Sequence, residues 1–555
     1  MAASATSKAK TTQFWHPTSY KDNKYAYVTF DKAYTLNELK YMEILCEVLA
    51  KPNWWTKMND ASILAKWKTE SQLSDNDFAH LEAELKDIAQ KCHLEDPNST
   101  IPIPLPVHGV FMTDALKGSP LVQDIRSTTA KLEDEARARG DYHLNSNNQV
   151  LDIVHPSLYC AVNGRTRISH TPNALVGDQV LEWPAINGQD ISSKFQWLPT
   201  PVKADAAGNT TFESYINNIH PKDHADIYPA LESLLTKMVP LFERSLGSLG
   251  VAPVHRIAVK DWEAIMPLNR HETAKAAWVK LQKEQHPDLD EIDEDSDEFY
   301  EFLDAFDDSN VVLNIPEMPT TYQHFQEYPR RGMNGTHFQV IVKIASIELT
   351  PENPKYPGGS WHIEGMTNES IAATGILYYD CENITTSKLA FRHAFSPPFI
   401  EEIEYEQNEH AAITGVYGIS SDGDDNLQVV GHIQAQEGRC VVFPNFMQHC
   451  VAPFELADAT KPGHRKIVCF FLVNPDNSIL STANVPPQQA TWSLRSLAET
   501  LSTKLPDFAI DKIQDIGGKM THDEAKQYML ELMEERKQSS VFANYVSSHI
   551  SLCEH

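Results

Sequence analysis

The chain has 555 residues, 76 acidic side chains against 47 basic ones for a formal charge of −29, and 41% hydrophobic, 9% aromatic and 22% charged residues. That length exceeds what one hydrophobic core usually organises, so a catalytic domain with sizeable additions is expected; no run approaches a membrane-spanning apolar length, so a soluble globular protein with no membrane partner is expected. A surplus of negative charge repels a phosphate backbone, which excludes nucleic acid as the expected partner and favours small or cationic ligands.

Residues 1–12 are small and polar and read as a disordered tail. Neither the opening MAASATSKAKTTQF nor the closing Cys553-Glu554-His555 carries an address signal, and the eight cysteines show no CxxC or zinc-ligand spacing. A reducing, cytoplasmic setting is therefore expected. Residues 35–50 and 79–92 carry helical apolar spacing, as does 228–247. The whole of 13–330 is accordingly read as a mainly helical region packed on a core. Within it, 286–308 is an acidic run expected to form a solvated face.

From about residue 336 the texture changes. THFQVIVKIASIEL, IAATGILYYD, NLQVVGHIQAQ, GRCVVFPN and HRKIVCFFLVNP are β-branched and aromatic runs separated by Pro, Gly, Asn and Asp. That pattern predicts an antiparallel sandwich or jelly-roll over 331–480. Residues 481–555 return to helix, with 522–538 amphipathic, so the fold class is α+β.

Six His-x-Asp/Glu triplets occur, at His80/Glu82, His93/Glu95, His224/Asp226, His286/Asp288, His362/Glu364 and His522/Glu524. Residues i and i+2 share a face on a strand but not on a helix, so only a strand aims both side chains at one metal. Helical or proline-broken surroundings remove five of the six and leave His362/Glu364, in Gly-Gly-Ser-Trp-His-Ile-Glu-Gly. A strand, a Pro444-Asn445 turn and a second strand then deliver His449, and Arg465 opens the next apolar strand. Two imidazoles and a carboxylate on one side of Fe(II) leave room for a bidentate 2-oxo acid and dioxygen. An arginine fork suits the far carboxylate of that acid. Gln339 and Lys343 share a face of the preceding strand and are further candidates for the cosubstrate. His393, His410 and His432 are read as structural.

The run His-x-Glu, then Phe-Pro-Asn-x₃-His, then Arg resembles the double-stranded β-helix (cupin-like) core of the Fe(II)/2-oxoglutarate oxygenases. The segments 154–167, 356–392 and 463–475 resemble a fungal family known only as domain of unknown function 4246. The resemblance implies iron held by His362, Glu364 and His449, with 2-oxoglutarate as cosubstrate held by Arg465. It also implies hydroxylation of a small molecule such as an amino acid, peptide or secondary metabolite, with desaturation or cyclisation as variants. Halogenases of that superfamily lack the carboxylate ligand, which is present here as Glu364. A protein hydroxylase or demethylase, or a non-catalytic cupin-type metal binder, are the alternatives. The sequence departs from the superfamily at Ile467, where many members carry Ser or Thr; Tyr378 or Tyr379 is a candidate source of that hydroxyl.

Overall fold

The computed structural model describes residues 32–545 apart from 97–98, 185–190, 250, 260–264, 266–269, 288–295, 307–312, 324–327, 396–410, 420–423 and 493–518. The expected tail 1–12 and His410 lie outside the described residues.

Helices begin where side chains satisfy the free N–H groups of a first turn. Thr35 accepts from the Glu38 amide ahead of Leu36–Leu49, and Ser74 accepts from the Asp77 amide ahead of Asp75–Lys91. The buried Arg256 ties these two helices together. Its guanidinium donates to both Glu84 oxygens at 2.7 and 3.0 Å, and its backbone N–H donates to Glu38 at 2.6 Å. Burial pushes the Glu38 carboxyl up to about 7.

The long apolar runs pair as one nine-stranded antiparallel sheet. At its centre Gly463–Val473 lies between His337–Leu349 and Ile371–Glu382. The registers are Lys343↔Cys469 and Ile347↔Arg465 on one side, and Ile376↔Cys469 and Tyr378↔Ile467 on the other. Successive strand residues face opposite ways, so each strand feeds two cores. Val340, Val342, Val442, Phe470 and Leu472 pack under the helices Pro120–Arg139 and Ile227–Ser248. Ile341, Ile376, Val441, Phe443 and Phe471 face a three-stranded sheet of Gln448–Val451, Lys388–Ala394 and Leu427–Gln434, which contributes Leu389, Phe391, Val430 and Ile433. The result is helices, large sheet and small sheet in three layers, with Leu36–Leu49 against Leu427–Gln434 outside them.

The α+β class and antiparallel sheets follow the sequence reading. The two sheets do not hydrogen-bond into a closed barrel among the described residues. The region 13–330 is not only helical: Ile103–Pro104, Phe111–Thr113, Val150–Val154, Thr200–Ala204 and Thr210–Phe212 all join the large sheet. These strands span two to five residues, too short for an alternation to stand out among prolines and polar turns. The helix expected over 522–538 is present as His522–Tyr545.

The contact of helix on sheet is closest at Gly375. A Cβ there would lie 2.7 Å from Phe242 Cζ and 3.3 Å from Met238 Sδ, and Phe242 is fully buried. Gly375→Ala is expected to destabilise by about 1–3 kcal/mol through overpacking, read as a lower denaturant midpoint at unchanged slope. A wild-type midpoint would refute this contact.

Candidate metal centre

Two extended segments meet to form the site. His362 and His449 face each other across an isolated antiparallel bridge, the amide of each donating to the carbonyl of the other at 3.1 and 3.0 Å. Gly358 and Gly359 make the approach feasible. The Gly359 amide donates to Val451 at 2.9 Å, and a Cβ on Gly358, at φ +96°, would lie 3.0 Å from the same carbonyl oxygen. Asn445 then grips the backbone on both sides of Glu364: its Oδ1 accepts from the Glu364 amide at 2.9 Å and its Nδ2 donates to the Glu364 carbonyl at 2.8 Å. Arg392 braces the outside, stacking over Trp361 at 4.7 Å and donating to Gln448 at 2.7 Å. The His449 ring rests on Phe443, which in turn meets Phe391 edge-on.

With the backbone so held, Glu364 Oε1 lies 3.7 Å from His362 Nε2 and 3.4 Å from His449 Nε2. Three donor atoms thus sit within 4.8 Å of one another. The Nδ1 of His362 faces the Ser360 carbonyl at 2.8 Å, which puts its proton there and leaves the Nε2 lone pair turned toward Glu364. Burial works to raise the Glu364 carboxyl, but the two imidazoles outweigh it and hold the group well below the usual carboxylate range. Burial also depresses His449, whereas for His362 the adjoining carboxylate prevails over desolvation and raises it. Two nitrogens and one ionised oxygen on one side of a point form a donor set that fits a divalent transition metal with open positions.

The three residues line a cavity of about 990 Å³ that also receives Arg465, Lys343, Tyr356 and Tyr378. Arg465 is buried, donates to the Ser387 hydroxyl at 3.0 Å and keeps an Nε–H without a hydrogen-bond partner among the described residues. A hydroxyl thus stands beside Arg465 in a chain that has isoleucine at 467. Tyr379 is spent elsewhere, donating to Glu133 at 2.9 Å. Lys343 lines the cavity, and the carboxylates of Glu364 and Asp152 outweigh the effect of burial to raise its ammonium. Gln339 does not line it, because its amide is tied in both directions to the Ile479 backbone. His432 pairs with Glu47 at 3.0 Å and His393 is buried near Tyr34, as structural histidines would be.

The profile of the family described as "Protein of unknown function (DUF4246)" matches residues 75–496, and that of "Domain of unknown function DUF4246, N-terminal" matches residues 2–70. The chain belongs to the DUF4246 family. No curated protein matches it. Among solved structures, that of IDO from Bacillus thuringiensis is 10% identical with a TM-score of 0.16, covering 25% of this chain and 46% of that one. The "Selenomethionine labeled Fe(II)/(alpha)ketoglutarate-dependent dioxygenase TqaL" is 11% identical with a TM-score of 0.21, covering 51% of this chain and 70% of that one. The chain thus spans less than half the length of the first of these structures, and at such scores neither weak likeness carries weight.

The DUF4246 chain holds a second His/Asp cluster, which the sequence did not disclose. His143, Asp152 and His155 also bring three donor atoms within 4.8 Å, with His143 Nδ1 3.0 Å from Asp152 Oδ2. The Ser157 amide donates to His155 Nδ1 at 3.2 Å, so that nitrogen holds a lone pair and the proton of the neutral ring sits on Nε2. Burial keeps this imidazole neutral by pushing it down to about 3. In this tautomer Nε2 is a donor and the Nδ1 lone pair is already taken by the Ser157 amide, so His155 would have to give up that hydrogen bond to ligate, and the centre at Glu364 is the better metal site of the two.

Asn445 is the untested brace of that centre. Asn445→Ala is expected to weaken Mn(II) binding roughly ten- to a hundredfold by freeing the Glu364 backbone, measured by calorimetry on the folded protein. Wild-type affinity would show that the two hydrogen bonds do not orient the carboxylate.

Proposed function

We propose that this DUF4246 protein is an Fe(II)- and 2-oxoglutarate-dependent oxygenase on a double-stranded β-helix core, hydroxylating a small molecule. One observation carries the reading: a two-histidine, one-carboxylate cluster shares a cavity with a buried arginine that retains a free N–H. A cupin that only binds metal has no use for such an arginine. A cavity of about 990 Å³ exceeds what a five-carbon diacid fills, which favours a small-molecule substrate beside it.

When bound, iron with 2-oxoglutarate and dioxygen supplies the oxidising power to functionalise an unactivated C–H bond, the cosubstrate leaving as succinate and CO₂. The chain's own groups do the arranging. His362 and His449 would offer Nε2 lone pairs and Glu364 one oxygen. Arg465, steadied by Ser387, would hold the far carboxylate of the cosubstrate by a charge-assisted contact. Ile376, Ile467 and Phe471 keep that end of the cavity apolar, where such a contact is strongest.

His362→Ala, Glu364→Ala and His449→Ala are each expected to abolish iron binding or turnover with the fold intact, checked by metal content, succinate release and circular dichroism. Full succinate release by Glu364→Ala would remove the triad from the mechanism. Arg465→Ala should raise the apparent constant for 2-oxoglutarate about thirtyfold or more, because truncating one partner of a buried charge pair costs roughly 2–5 kcal/mol. Iron affinity should stay as it was, and Arg465→Lys should recover only part of the loss. Unchanged 2-oxoglutarate dependence in Arg465→Ala would leave the metal site standing but remove the arginine from cosubstrate binding, and with it the observation that carries this reading.

A further inference from the structure

The cavity does not share the sign of the molecule around it. The chain as a whole carries −29, yet the described lining holds the basic residues Lys343, Lys355, Arg465, Arg536 and Lys537 against only Glu364 and Glu534. Most of this positive charge is already engaged. Lys355 pairs with Glu455 at 3.2 Å; the charge of Arg536 is offset by Glu369, to which it donates at 2.6 Å while lying 3.7 Å over the Trp197 ring, although its Nε–H and Nη1–H find no partner among the described residues. Arg465 is committed to the cosubstrate if the oxygenase reading holds, and the present inference rests on that reading. A divalent metal, Glu364, Arg465 and a doubly charged cosubstrate together sum to zero. Lys537 has a partner of its own. The buried Asp152 carboxylate offsets the charge of Lys343 from beyond contact range, but the ammonium makes no hydrogen bond or close ion pair among the described residues, so its donors remain open to the cavity.

Its surroundings are specific. Lys343 stands opposite Cys469, two residues along the strand from Phe471, and the Trp197 ring stacks on Phe471 at 5.6 Å and 20°. Trp197 is itself fixed by its indole N–H, which donates to Ser157 at 2.9 Å. His155, whose Nε2 carries a proton for the reason given above, lines the same cavity. A cation, a neighbouring donor and an aromatic wall in one place form a receptor for an anion attached to an apolar body.

We propose that the primary substrate is a carboxylic acid or like oxyanion with an apolar body, that Lys343 receives its anionic head, and that the stacked Trp197–Phe471 pair walls one side of the body. Net charge alone pointed to cationic ligands; the cavity lining reverses that expectation.

The test uses the full-length protein and three probes of one shape: 4-phenylbutyrate, 4-phenylbutyramide and 4-phenylbutylamine. Tryptophan fluorescence and thermal midpoint are followed without oxygen in the presence of Mn(II) and 2-oxoglutarate, and again with neither. The carboxylate is expected to bind at least roughly tenfold more tightly than the amide or the amine. Lys343→Gln should erase that preference and Lys343→Arg should restore part of it. A wild-type protein that prefers the amide or amine, or binds none of the three, overturns the proposal without requiring any variant to fold. A Lys343→Gln protein that loses 2-oxoglutarate binding as Arg465→Ala does assigns the lysine to the cosubstrate and overturns it equally. Failure of the oxygenase reading is distinguishable: the wild-type protein would then not bind 2-oxoglutarate, whereas the ranking of probes is also measured without it.

Discussion

The site depends on a backbone event, the bridge between His362 and His449. Their two segments come from distant parts of the chain, and donor atoms that far apart in sequence converge only if both strands are held in one register. A slip of one residue would turn His362 and Glu364 away from the cavity together. Several small devices guard that register. Gly358 and Gly359 let one segment close on Val451, Asn445 substitutes side-chain amide hydrogen bonds for the next rung of the ladder, and Arg392 joins Trp361 to Gln448. Asn445 holds the backbone of a donor residue and Arg392 the neighbours of the other two, and none of these devices touches a donor atom.

This arrangement explains what the sequence could disclose. His362 and Glu364 were legible because a strand is the one regular geometry that aims residues i and i+2 the same way, and only one His-x-Glu lay in strand-like company. Arg465 was legible because it opens a long apolar strand. The partners were not legible, since each is set by contacts across the fold. Ser387 meets Arg465 from the segment that leads into Lys388–Ala394, and Asn445 looked like a turn residue only. Gln339 and Lys343 do share a face, but four residues along a strand separate them by about 13 Å. One reaches the cavity while the other is absorbed by Ile479. The short strands of the first half were illegible for a different reason: they are stabilised by pairing with strands that lie well over a hundred residues later in the chain.

The two His/acid clusters show how far residue type falls short of role. By composition and spacing in space they are near equivalents, each with two imidazoles and one carboxylate. What separates them is the group behind one ring nitrogen. A carbonyl behind His362 Nδ1 turns a lone pair inward; an amide N–H behind His155 Nδ1 turns a proton outward. The first ring turns a lone pair to the cluster, whereas the second has its lone pair engaged by Ser157 and offers a proton instead. The same local logic governs charge, because an ion in the cavity experiences Lys343 and Arg465 at contact range, whereas the surplus acidic groups act through water and salt that screen them within about 10 Å. Selection of a ligand in the cavity therefore follows the lining more than the net charge of the chain.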